Sequence, residues 1–228
     1  MQHSTVTVEW RGVRLVASRF PPISLFEDLA SIEDFDLLYA VQSLTNPRLR
    51  LEEGDLNNIP REDWVFGHGS SPVMASFCYV SRDGSRFSDG TFGVYYAANS
   101  LAAAVSEVAY HRERFLRDMD APAVEVDMRS YWANIAEPMV DLRDVHEAHL
   151  PDDYGPSRAL GKTLRSEGAF GLLYRSVRFP DAECVAVFRP KAIQVPVVQG
   201  QHVSLIWDGK SIDSWYEKGD LAKVHKLQ

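Results

Sequence analysis

Cysteine is scarce in this 228-residue chain: Cys78 and Cys184 are the two present, each inside an apolar run. Two thiols so far apart argue against a disulfide scaffold and make no zinc site; they fit a reducing compartment. No apolar run approaches the roughly 20 residues that cross a bilayer. The opening MQHSTVTVEWRGV lacks the basic-then-apolar pattern of a secretory signal. The expectation is a cytoplasmic protein with no membrane partner. Positive charge is also in deficit, with 24 Lys and Arg against 32 Asp and Glu and a net charge of −8. That argues against a broad nucleic-acid surface, so no direct nucleic-acid partner is expected. An anionic ligand would need a local exception, and arginines do concentrate at Arg82/Arg86 and at Arg175/Arg178. Common catalytic signatures are missing as well. There is no GxSxG elbow and no GxGxxG. Gly67-His68-Gly69-Ser70-Ser71 lacks the P-loop lysine, and His146-Glu147-Ala148-His149 is not the zinc arrangement HExxH, so both read as surface features.

The chain shows no internal repeat and no low-complexity linker. Residues 5–9 and 13–17 alternate as a short hairpin turning near Arg11-Gly12. Pro21-Pro22 breaks the pattern. Ser31 with Asp34 resembles a helix-capping box, and Ile32, Phe35, Leu38, Tyr39 and Leu44 then recur at helical spacing until Asn46-Pro47. Residues 47–72 read as irregular. On this pattern residues 1–70 form an N-terminal extension of hairpin and helix packed on a main domain, 71–228. In that domain strands are expected at 73–80, 92–98, 123–129, 138–142, 171–178, 184–189, 192–198 and 202–207. Helices are expected from the Ser100 cap to about 117 and over 156–166, stopped by Gly168, and Asp208-Gly209 reads as a turn. Strands and helices alternate without regular βαβ repetition, which predicts an α+β fold.

Four positions carry candidate chemistry. Arg86 lies in a Gly-x-Arg-x-x-x-Gly loop whose glycines allow close backbone approach, and guanidinium suits phosphate or carboxylate. Its ordinary alternative is a solvated loop arginine. Tyr95 and Tyr96 are neighbours on a strand and face opposite sides, so one can pack in the core while the other stacks on a flat ring. Which one does so stays open. Glu107 lies in LAAAVSEVAYH, on the flank of a small apolar stripe rather than opposite it. A carboxylate there is half-buried and needs a partner or a function; an arginine pairing is the alternative. Ser176, in YRSVR, offers one hydroxyl on a bulky strand, sharing a face with Arg178 if 171–178 is extended.

Taken together, SRFSDGTFGVYYAANSLAAAVSEVAYHRERF, YRSVR and CVAVFRP resemble the RES-domain family over roughly residues 73–206. The family's motif Arg, Tyr, Glu and Ser map to Arg86, Tyr96, Glu107 and Ser176, with Tyr95 the alternative tyrosine. The resemblance implies an ADP-ribosyltransferase-like fold, with a mixed sheet flanked by helices. It implies a toxin of the Xre–RES toxin–antitoxin type that degrades NAD⁺ by phosphorolysis or hydrolysis, releasing nicotinamide. NAD⁺ is then a substrate, inorganic phosphate a candidate co-substrate, and no cofactor or metal is expected. An Xre-type antitoxin is the implied protein partner, and a homodimer within the toxin–antitoxin complex is compatible with it. In this reading Arg86 clamps the pyrophosphate or an incoming phosphate, helped by Arg82 and Arg178. Tyr96 walls the nicotinamide, Glu107 stabilises the ribosyl cation and Ser176 fixes orientation. Two other readings stand beside it: ADP-ribosyl transfer to a cellular protein from the same site, and a non-catalytic partner-binding module. The second gives no reason for a half-buried acid beside an arginine.

Overall fold

The computed structural model describes residues 3–18, 27, 31–34, 56, 59–219 and 224–226. Among the described residues ten strands form one mixed sheet in the order β1-β5-β6-β7-β3-β2-β4-β8-β9-β10. The strands are β1 (Thr5–Val6), β2 (Gly12–Ala17), β3 (Tyr95–Ala98), β4 (Val124–Ile135), β5 (Met139–Asp141), β6 (Gly171–Arg175), β7 (Glu183–Val187), β8 (Ile193–Trp207), β9 (Ile212–Glu217) and β10 (Val224–Lys226). Among the described strands only β5 and β6 pair in parallel. Three α-helices described over their full length pack on this sheet: α1 (Ser71–Cys78), α2 (Leu101–Asp118) and α3 (Gly155–Ser166). The fold is α+β, as the sequence pattern indicates.

The helices follow local chemistry. Ser100 is extended and its Oγ accepts the Ala103 amide at 3.2 Å, which starts α2 as expected. Ala103, Ala104, Val105 and Ala109 then form a buried seam of small side chains that lets α2 lie close to the sheet. Gly168, at φ +91°, ends α3. Gly161 on α3 packs so tightly on the loop before β3 that a Cβ there would collide with the Phe87 carbonyl oxygen.

Several expectations are corrected. Residues 73–80 are not a strand; 71–78 are helix α1, with Pro72 in its first turn and Val73, Met74, Phe77 and Cys78 buried together. A short apolar run carries no periodicity that separates the two states, and the i, i+1, i+4, i+5 burial is that of a helix face. The N-terminal hairpin does not form. β1 pairs with β5 at one edge, whereas β2 lies between β3 and β4 inside the sheet. Alternation specifies a strand but not its partner, so part of the segment expected as an added extension is built into the sheet. β6 stops at Arg175, and Ser176 to Arg178 form a turn. The two segments 192–198 and 202–207 are one strand, β8, and 92–98 is extended only from Tyr95. At Ser31, the Oγ accepts the Asp34 amide at 3.2 Å, the expected cap. The rest of that helix, Phe35 to Leu44, its end at Asn46-Pro47 and the Pro21-Pro22 break lie outside the described residues.

The core has two layers. On one face α2 and α3 cover Phe87, Tyr174, Cys184 and their neighbours; on the other α1 covers Tyr95, Val185 and Val187. One irregularity matters for the site. β2 pairs with β4 over six residue pairs but with β3 only at Val13–Ala98. The sheet splays beyond that point, and the Tyr96 carbonyl takes a bond at 3.3 Å from Arg14 Nη1.

Candidate active site

Arg86 sits on the loop entering β3, held from three directions. The Tyr96 hydroxyl bonds Ser85 Oγ at 2.8 Å and accepts the Phe87 amide at 3.0 Å, gripping both residues that flank Arg86. Ser157 Oγ, in the first turns of α3, donates to the Arg86 carbonyl at 2.6 Å. The side chain is 5% exposed. Its Nη1 donates to the Leu150 carbonyl at 2.7 Å and more weakly to Ala148 at 3.5 Å, and the guanidinium lies 4.5 Å from the Tyr154 ring centre. Nη2 is buried with no hydrogen-bond partner. No carboxylate pairs with this cation among the described residues, so part of the cost of burying it is left uncompensated.

Glu107, on the third turn-face of α2, reaches the turn after β6. One carboxylate oxygen, Oε1, accepts Ser176 Oγ at 2.6 Å and the amides of Val177 at 2.9 Å and Arg178 at 3.2 Å. Ser176 Oγ in turn accepts the Phe179 amide at 3.0 Å. The other oxygen, Oε2, makes no hydrogen bond among the described residues. Ser176 thus orients Glu107 from a turn, not from the strand face expected of it.

Arg86 and Glu107 share surroundings. Phe87, next to Arg86, stacks edge-on against Tyr174 at 4.9 Å. Burial pushes the Tyr174 hydroxyl and the Cys184 thiol up, Glu107 adds to both shifts and Arg86 opposes them. Both charges therefore act on the same two buried groups.

The tyrosines divide as the strand pleat requires. Tyr95 is 0% exposed in the α1-side core, with Arg14 at 5.1 Å from its ring centre. Tyr96 lies on the Arg86 side and is half-buried. Burial pushes both hydroxyls up to about 12. Arg82 is exposed and away from these contacts. Arg178 is committed to a neighbouring strap: its guanidinium bonds the Pro151 carbonyl and Asp152 and lies 3.5 Å from the Tyr110 ring centre. Tyr110 also donates to Asp152, at 2.6 Å. His149 is not a loose helix end. Val145 O accepts from its Nδ1 at 2.8 Å and the Arg175 amide donates to Nε2 at 3.0 Å, which fixes one neutral tautomer.

A groove of about 920 Å³ opens where β2 and β3 part, lined by Arg14, Ser85, Tyr96, Arg129 and Tyr131 among others. Arg86, Glu107 and Ser176 are not on its wall; Ser85 and Tyr96 join the groove to their cluster. Arg14 escaped the sequence reading. Its Nε is buried without a partner, and the available signal was an arginine inside the apolar alternation of VRLVA. Among the described residues no group of three or more His, Cys, Asp or Glu is placed to hold a metal ion. No described helix is long and apolar enough to cross a membrane.

Comparison with known proteins adds three findings. The RES domain family matches residues 58–208. A Sinorhizobium fredii (strain NBRC 101917 / NGR234) protein, described as uncharacterized protein y4oC, is 30% identical over 224 residues, 94% of this chain and 90% of that one. A chain in the crystal structure of the M. tuberculosis MbcT–MbcA toxin–antitoxin complex is 13% identical, with a TM-score of 0.47 over 88% of this chain and 86% of that chain.

Proposed function

Given that the chain belongs to the RES-domain family, we propose that it is the toxin of a toxin–antitoxin pair and that it destroys NAD⁺ by breaking the nicotinamide N-glycosidic bond. The observation that carries this reading is the asymmetric state of Glu107, with Oε1 fixed by three donors and Oε2 left unbonded. Cleavage of a glycosidic bond to a cationic pyridinium leaves an oxocarbenium-like ribose, which a preoriented carboxylate stabilises. The C1′–N bond breaks, its electron pair goes to the ring nitrogen, and neutral nicotinamide departs. An acceptor oxygen, from water or inorganic phosphate, then bonds C1′; with water, the released proton passes to solvent or transiently to Glu107 Oε2. The departing pyridine is already a good leaving group, so the step calls for no metal ion.

Ser176 is a positioning residue, acting through Glu107. Arg86 takes phosphoryl oxygen, and Arg14 in the adjoining groove is a second cation for the pyrophosphate. Tyr96 offers a ring face to the nicotinamide while its hydroxyl secures the Arg86 loop. Because unrestrained NAD⁺ loss harms the producing cell, an Xre-type antitoxin that covers the site is the proposed partner, with a homodimer inside that complex. Purified protein without antitoxin is expected to release nicotinamide from NAD⁺. Intact NAD⁺ with and without phosphate would sink the reading. Mass spectrometry separates free ADP-ribose or its phosphate from a protein adduct, which would instead indicate ADP-ribosyl transfer. In cells, induction alone should lower NAD⁺ and arrest growth, and Arg86→Ala should abolish both.

A further inference from the structure

Tyr154 is not among the motif residues, yet it is the side chain laid against Arg86. Its ring centre is 4.5 Å from the Arg86 guanidinium and 5.8 Å from that of Arg158, and His111 meets its edge at 6.3 Å. Its hydroxyl is buried with no hydrogen-bond partner. A buried phenol usually finds one, because an unmade bond there costs about 1–3 kcal/mol. Beside it Nη2 of Arg86 is buried and unpartnered as well. Two buried, unsatisfied donors thus belong to one stacked pair of side chains, and neither pairs with a carboxylate. The residue is also the N-cap of α3, whose first amide, that of Gly155, donates to Asp153 Oδ1 at 2.9 Å.

We propose that the Tyr154 hydroxyl and Arg86 Nη2 form a two-donor seat for one phosphoryl oxyanion, with Tyr154 both stacking on the guanidinium and contacting the anion. The proposal rests on the reading of Arg86 as the phosphate-binding arginine. The chemistry is shared by two sources, the diphosphate of a dinucleotide and free inorganic phosphate. The seat is covered in this structure by the strap 148–152, whose carbonyls hold Arg86. The strap is tied down by Asp152, which pairs with Arg178 and accepts from Tyr110, and by the Pro151 carbonyl, which also accepts from the Arg178 guanidinium. Admitting the anion requires the strap to exchange these bonds, and those from Arg86, for contacts with solvent and with the ligand.

The test is Tyr154→Phe in the full chain, which removes the hydroxyl and keeps the ring. Binding of inorganic phosphate, ADP-ribose and nicotinamide riboside, which carries no phosphate, is measured by calorimetry alongside thermal unfolding. Deleting an unpaired buried hydroxyl leaves stability unchanged or raises it. The seat nevertheless requires the variant to bind its phosphoryl ligand roughly tenfold to a hundredfold more weakly, with nicotinamide riboside unaffected. A loss confined to ADP-ribose assigns the seat to the dinucleotide; a loss for inorganic phosphate assigns it to the free anion. Equal binding by wild type and variant overturns the proposal, as does a wild type that binds neither ligand. A wild type that binds phosphate through Tyr154 but leaves NAD⁺ intact keeps the seat and discards NAD⁺ cleavage.

Discussion

At the scale of single residues, Arg86 and Glu107 use opposite strategies. The arginine is buried with main-chain carbonyls for company, so its positive charge is not neutralised. The glutamate spends one oxygen on structure and keeps the other. Glu107→Gln retains an acceptor oxygen for the Ser176 turn but removes the negative charge. It is expected to unfold at nearly the wild-type temperature and to lose about 10²- to 10³-fold in kcat for NAD⁺ cleavage. Full activity in the variant would remove Glu107 from the chemistry. Tyr96→Phe acts differently. It strips the Phe87 amide and Ser85 of a partner, so it should cost about 1–3 kcal/mol in a denaturant titration and raise KM by loosening Arg86. A variant that melts like wild type would show that the hydroxyl does not hold the loop. Glu107 was legible in the sequence, because an acid on the flank of an alanine seam is conspicuous. Tyr154 was not, since an isolated tyrosine before a helix looks like any other until the arginine beneath it is seen.

At the scale of elements, the close fit of α3 against the Arg86 loop depends on Gly161. A methyl group there must displace either the helix or the Phe87 backbone. Gly161→Ala should therefore destabilise the protein by roughly 1–3 kcal/mol, even though alanine is the better helix former. Chemical denaturation checks this, and a stabilised variant would mean that the two elements are not in firm contact. The two well-marked helices were readable from their ends: a serine cap opens α2, and glycine follows α3. α1 was misread because eight apolar and small residues carry too little periodicity to choose a state. Ser176 was placed on a strand face for a related reason. The turn after β6 is held by the Glu107 carboxylate, accepting the Val177 and Arg178 amides, and by Ser176 Oγ, accepting those of Arg178 and Phe179, and the Glu107 contact is non-local.

At the scale of the whole molecule, His149 couples stability to pH. Burial lowers its pKa from the usual 6.5, with the cations Arg86 and Arg175 adding to the shift and the Val145 bond opposing it. The folded state therefore favours neutral imidazole, which accepts the Arg175 amide. Its contribution is fully present above about pH 6.5 and is lost as pH falls through the depressed folded pKa. Melting temperature should drop between pH 7 and 5 more steeply in wild type than in His149→Gln; parallel curves would show that His149 does not report the transition.

The sequence by itself determined the α+β class, the two capped helices, the Asp208-Gly209 turn and the family, because these rest on local chemistry and on an ordered set of motifs. It also singled out Arg86, Glu107, Ser176 and the Tyr95–Tyr96 pair. Tertiary structure decided the rest. It moved β2 from a hairpin into the sheet, parted it from β3 to open a groove beside Arg14, and placed Tyr154 on Arg86. Strand partnership and the stacking of side chains some seventy residues apart are non-local contacts. Their energy depends on which surfaces meet, and no window of neighbouring residues contains that information.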